Sequence, residues 1–291
     1  MLFTPGAHSF EWQYSNVTAT RISTAGWGTS HTPSTTAFST YATLVTAANI
    51  TTDVYGILLC FNNNSTSATI RNTLVNIGID TAGGTSFTTR IPNLLIGSAT
   101  AISGNGLGIW YYFPLYIPAG SSIGIQAKST VTTAFSTALW LYGKPTNPES
   151  VKTGTYVISY GADTTNSRGT SITLFTAAGT PGLADYNLFS AGTTTRDHWW
   201  WQIGFTQADT TMTAQFISFE LSGSAAAAFG SSSFSIKDYT FLVSGAEQIS
   251  NNPNYYCDMF LPSGSSLYYA ADTSITTADT LPNMIVYGLG G

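Results

Sequence analysis

The 291-residue chain is poor in charge and rich in small hydroxyl side chains: only 8% of residues are Asp, Glu, Lys or Arg, whereas Ser and Thr fill 79 positions. Aromatics at 13% suit strands, 28 Gly and 11 Pro suit turns, and 43% hydrophobic residues supply a core, so helical and disordered chains are both excluded. A formal net charge of −5 without any run of Lys or Arg argues against nucleic acid as a partner, because phosphate binding needs a basic face.

The N-terminal stretch MLFTPGAHSFEW has neither a basic n-region nor an apolar h-region, so no signal peptide is expected. Between residues 54 and 61, Tyr55, Ile57, Leu59 and Phe61 alternate with a second set, the period of two that marks a strand covering a core. The apolar stretch 107–118 is far shorter than the ~20 residues that span a bilayer, and no membrane insertion is expected. Within it Ile109, Tyr111, Phe113, Leu115 and Ile117 form one face, while Trp110, Tyr112 and Tyr116 form the other. A turn follows, predicted as type I with Pro118 at its second position and Gly120 at its fourth. Residues 143–150, GKPTNPES, read as a polar, Pro-containing linker.

Beyond that linker the pattern returns. An offset of 144 carries Asp53, Tyr55, Ile57, Leu59 and Phe61 onto Asp197, Trp199, Trp201, Ile203 and Phe205. The same offset carries Val75 and Ile77 onto Phe219 and Leu221, Leu44 onto Leu188, and the turn segment 117–123 onto 261–267. Tyr142-Gly143 answers Tyr287-Gly288 at 145. The expected organisation is therefore two antiparallel β-sandwiches, jelly-roll-like, at 1–145 and 146–291, arising from an internal duplication. Residues 224–230 amount to one helical turn or a tight loop. The halves differ in charge, with five Lys/Arg against three Asp/Glu in the first (+2) and four against eleven in the second (−7).

Catalytic constellations are scarce. His198 follows Asp197 directly, so on a strand the two face opposite ways and form no dyad. Glu220 is the best placed of four Glu, but its counterpart is Asn76; Asp272 and Asp279 correspond to Lys128 and Phe135 and match no calcium loop. Cys60 and Cys257 are too few for a disulfide framework or a zinc site and read as buried, inert thiols. No catalytic residue, metal or cofactor is expected. The binding or interface candidates are Trp110, Tyr112 and Tyr116, with Trp200 between the core-facing Trp199 and Trp201; such rings stack on sugars, fill subunit interfaces, or lie in a sheet covered on both sides.

The segment YFPLYIPAGSSIGIQ at 112–126 resembles virion structural proteins of tailed bacteriophages, in which an Ile-Pro-Ala-Gly turn joins two sandwich strands. The Thr/Ser/Gly-rich, charge-poor composition is similar too, whereas the second copy departs at Leu261-Pro262-Ser263-Gly264. The resemblance implies a non-enzymatic particle component made in the host cytoplasm, decorating the capsid or attached to the tail. Its expected partners are further copies of itself, as a trimer or ring, and other virion proteins. The alternative is a receptor-recognition or head-spike subunit that binds host surface glycan.

Overall fold

Alternating apolar runs punctuated by Gly, Pro, Ser and Thr become β-strands in the computed structural model of the chain. The structure describes residues 10–17, 27–62, 71–98, 109–145, 152–172, 187–206, 215–224, 234–243, 256–257, 260–273 and 283–291. The first half holds β1 (Phe10–Ser15), β2 (Thr29–His31), β3 (Ala42–Val45), β4 (Gly56–Asn62), β5 (Arg71–Asp80), β6 (Thr88–Ser98), β7 (Ile109–Phe113), β8 (Ser122–Ser129) and β9 (Phe135–Pro145). The second holds β10 (Tyr156–Tyr160), β11 (Thr170–Ser171), β12 (Asn187–Thr193), β13 (Trp200–Thr206), β14 (Gln215–Ser224), β15 (Phe234–Val243), β16 (Tyr256–Cys257), β17 (Ser266–Thr273) and β18 (Asn283–Gly290). Ala47–Asn49 make a single 3-10 turn, and among the described residues no helix is long and apolar enough to cross a membrane.

The strands pair antiparallel in four sheets. Their orders are β1-β9-β4-β7 and β3-β8-β5-β6 in the first half, β10-β18-β13-β16 and β12-β17-β14-β15 in the second. This is jelly-roll topology, in which successive strands cross between two sheets that face each other over a core. Adding nine to each strand number of the first half yields the orders of the second, down to short β2 and β11 beside β9 and β18. Registers repeat too: Val75 pairs with Ala127 and Phe219 with Ala271, Ile79 with Ile123 and Gly223 with Leu267. Each half carries a register shift at the corresponding place, between Val75 and Ile77 and between Phe219 and Leu221.

The sequence expectation needs correction at four points. The turn is set one residue later: the Ser121 N–H donates to the Pro118 carbonyl, so Pro118 is its first residue and Gly120 its third, with φ of +74°. Pro262–Ser265 does the same with Gly264 at +87°. A positive φ there fits type II rather than type I geometry and explains the glycine. Tyr142 does not correspond to Tyr287, since Tyr142 pairs with Gly56 whereas Leu289 pairs with Trp200, the residue 144 beyond Gly56. A slip of two keeps the same face of a strand, so alternation alone does not detect it. Residues 143–145 belong to β9, not to a linker, while 146–151 and 225–230 lie outside the described residues. Tyr55 precedes β4 and is only half-buried, packed edge-on against Tyr116 at 5.6 Å.

In the first half Ile57, Leu59 and Phe61 of β4 join Tyr111 and Phe113 of β7 and Val75 and Ile77 of β5 in one buried cluster. Yet β4 and β13 are buried along their whole lengths, on both faces. What covers their outward faces defines the candidate site.

Candidate functional site

On β4 the inward residues leave Leu58 and Cys60 on the opposite, outer side of the sheet, but Leu58 is 4% exposed and Cys60 not at all. The register explains why. Cys60 pairs with Trp110 on β7 and Ala138 on β9; Leu58 pairs with Tyr112 and Trp140; Gly56 pairs with Tyr142. Strands flanking a central one are about 10 Å apart, so only large rings reach across it. The Trp110 and Trp140 rings do so, with centroids 5.3 Å apart and planes at 23°, and Tyr112 meets Tyr142 edge-on at 6.2 Å. Trp27 packs its ring against Trp140 at 5.8 Å. A β-carbon at Gly56 would fall 2.7 Å from the Tyr112 hydroxyl, so the glycine lets that ring lie flat.

These five rings are half-buried and carry no formal charge. Burial raises the Tyr142 phenol and pushes the Cys60 thiol far above the ordinary thiol range, which removes Cys60 as a nucleophile. The plate can therefore bind by area and ring stacking but offers no acid, base or nucleophile of its own.

Of the residues singled out from sequence, Trp110 and Tyr112 meet in this plate. Trp200 does not present a free outward ring. It is 8% exposed and packed between the halves, where it meets Tyr112 edge-on at 5.9 Å. Tyr116 stands apart beside Tyr55 and Asp53, where burial and the neighbouring carboxylate raise its phenol. Sequence reading missed Trp27, Trp140 and Tyr142. The signal for two of them was present, because Trp140 and Tyr142 alternate with Leu139 and Leu141 as Trp110 and Tyr112 alternate with Ile109 and Tyr111.

The plate runs into the contact between halves. There the outer face of β10, β18 and β13 sits on the edge formed by β6 and β7. The Tyr287 hydroxyl accepts from the Leu95 N–H at 2.8 Å and donates to the Asn93 carbonyl at 2.9 Å, while the Tyr111 hydroxyl donates to the Leu95 carbonyl at 2.6 Å. The Asn93 amide donates to Ser159 at 2.9 Å, and the Tyr112 N–H donates to Gln202 at 3.2 Å. A β-carbon at Gly204 would collide with the Tyr111 hydroxyl, so this glycine permits the close approach. Gly154 exchanges backbone hydrogen bonds with Pro114 and Tyr116 at 2.8 and 2.9 Å.

Elsewhere among the described residues, Asp53, Asp197, His198 and Asp163 make structural contacts. The Asp53 and Asp197 carboxylates each accept from the backbone of the Pro-x-Gly turn, from Ala119 at 2.9 Å and Ser263 at 2.8 Å. His198 is buried against Tyr160, whose hydroxyl lies 2.7 Å from Nε2, and burial pushes the imidazole down to about 4. It thus faces away from the exposed Asp197, and the two form no dyad. Asp163 is held below its ordinary value by hydrogen bonds from Asn166 and Arg168 in one turn. Among the described residues no group of three His, Cys, Asp or Glu could hold a metal. Glu220 pairs with Ala270 on β17, and its side chain, like those of Cys257 and Asp272, lies outside the described part, as does Asp279 altogether.

Neither a protein-family model nor a curated protein matches the sequence. Among solved structures, the chain is similar to PNGF-II with TM-score 0.41 and 10% identity, over 97% of this chain and 65% of that one. It is also similar to the N-terminal CBM22-1–CBM22-2 tandem domain of Paenibacillus barcinonensis Xyn10C, with TM-score 0.29, 11% identity and coverage of 98% and 99%. A third likeness is to recombinant N-glycanase F (PNGase F), with TM-score 0.24, 10% identity and coverage of 97% and 94%.

Proposed function

We propose that this chain is a non-enzymatic structural protein of a bacteriophage virion, decorating the capsid or attached to the tail and working through subunit contacts. The observation that carries this reading is the uncharged aromatic plate over Leu58 and Cys60, half-buried and continuous with the contact between the sandwiches. Trp and Tyr are enriched where subunits meet, and a surface without charge loses little hydration when covered. Jelly rolls pair such faces with rigid sheets, and the fold recurs in viral capsid and lectin domains. Assembly as a trimer or ring, synthesis in the host cytoplasm and contacts with other virion proteins follow from the same reading. The test is to purify particles from a host producing this sequence and to locate the chain by antibody labelling and imaging. Regular labelling at the head or tail is expected; absence from particles, with no affinity for any particle component, overturns the proposal.

A second reading rests on the partial exposure of Trp110 and Trp140, which leaves ring surface for stacking on host glycan. A glycan array with the wild-type chain and Trp110→Ala separates the two: specific binding lost in the variant favours recognition of a receptor.

A further inference from the structure

The two sandwiches present corresponding faces to different surroundings. In the second, the outer face of β10-β18-β13 is covered by the β6–β7 edge of the first. Ladder positions place Trp140 where the second half has Tyr287, Tyr142 where it has Leu289, Leu58 where it has Gln202, and Ser15 where it has Ser159. The aromatic plate is thus the first-half version of a face whose occupant is already visible within the chain. That occupant, β6, has its own counterpart in β15. Thr240 holds on β15 the ladder position that Leu95 holds on β6, and Asp238, like Asn93, falls within the register shift.

We infer that the aromatic plate of one copy receives the β15–β16 edge of another, joining chains head to tail by repeating between molecules the contact made within each. This inference rests on the proposed role in subunit contacts and names the partner of that same face. Three observations favour a second copy over an unrelated partner. The plate is continuous with the internal contact through Tyr112 and Trp200, 5.9 Å apart. The first half carries +2 and the second −7, so a head-to-tail contact brings opposite charges together. And the template contact is heterologous, a face against an edge, which propagates into a ring or a filament instead of stopping at a symmetric pair. The new contact is the weaker of the two. An indole N–H donates but cannot accept, so Trp140 is unable to reproduce both hydrogen bonds of the Tyr287 hydroxyl.

Light scattering of the full chain over a dilution series tests this, using Trp110→Arg and Tyr142→Arg in the plate and Thr240→Arg on the edge. Unchanged circular dichroism and melting identify variants that fold; if Trp110→Arg does not, Tyr142→Arg carries the test. Wild type should give multiples of 30.8 kDa that fall on dilution, and each variant alone the mass of one chain. Mixing a plate variant with the edge variant should restore pairs and nothing larger, since one intact face then meets one intact edge. A wild-type chain that stays single at every concentration overturns the inference. So do variants that associate like wild type, a mixture that stays single (the mark of a symmetric contact), or glycan binding lost in Trp110→Arg without any change in mass. Labelling of particles reads the virion role separately: a chain present in particles but single in solution sinks only the head-to-tail contact, and one that associates but is absent from particles sinks only the virion role.

Discussion

The two halves share strand order and register but finish their outer sheets differently. In the second, Trp200, Gln202, Gly204 and Tyr287 form a buried mixed face on which Gln202 and Tyr287 hydrogen-bond to the backbone of the first half. In the first, Trp110 and Tyr112 of β7 and Trp140 and Tyr142 of β9 cover the strand between them, β4, and remain partly open. One topology therefore supports two kinds of surface, decided by the alternate residues of three strands. Position 54/198 makes the same point inside the sandwich: Val54 bridges to Ile117 and His198 to Leu261, and both are fully buried.

The comparison breaks most visibly at the Tyr287/Trp140 pair. Tyr287→Ala should cost about 4 kcal/mol, through a cavity and two orphaned backbone groups, whereas Trp140→Ala, on the half-open plate, should cost about 1–2 kcal/mol. Urea denaturation of both variants measures the gap; equal costs would mean that the two faces are equally covered. Next comes acid. The unfolded chain protonates His198 near its ordinary 6.5, but the folded chain only near 4, so the unfolded state binds the extra proton between those values. Stability should accordingly be full above about pH 6.5 and fall by about 3 kcal/mol as pH drops to about 4. His198→Val, which installs the residue of the first half, should flatten most of that slope in denaturation curves taken across this range.

Smaller effects test where the halves agree. Gly120→Ala and Gly264→Ala should each cost about 1–2 kcal/mol, because both need positive φ and neither has an atom within 4 Å of an added β-carbon. Removing a turn acceptor by Asp53→Ala or Asp197→Ala should cost less, about 0.5–1 kcal/mol, since both hydrogen bonds are exposed. Matched thermal melts would show whether each pair responds alike; unequal shifts within a pair would mean that the turn does different work in the two sandwiches.

Much of this was legible in residue order. Alternation at 55–61 and 109–117 located β4 and β7 and identified which of their residues face the core, because a period of two translates directly into faces of a sheet. The match of Asp53 and the 117–123 turn to Asp197 and 261–267 was visible as well; that each carboxylate holds its own turn was not, since 66 residues separate them. Two of the five rings of the plate, Trp110 and Tyr112, were readable, and the alternation that flags Trp140 and Tyr142 was present as well. That β9 brings those two beside β4 was hidden, because it reaches β4 from far along the chain.

Local order thus determined the strand content, the inward faces of β4 and β7 and the places of the Pro-x-Gly turns, since these depend on neighbours two to four residues apart. Tertiary structure alone decided that Trp140 stacks on Trp110 across β4, that Trp200 is enclosed between the sandwiches, and that Tyr287 meets Leu95 from 192 residues away. Those outcomes depend on which strands become neighbours, and periodicity fixes the face of a strand but not the partner that covers it.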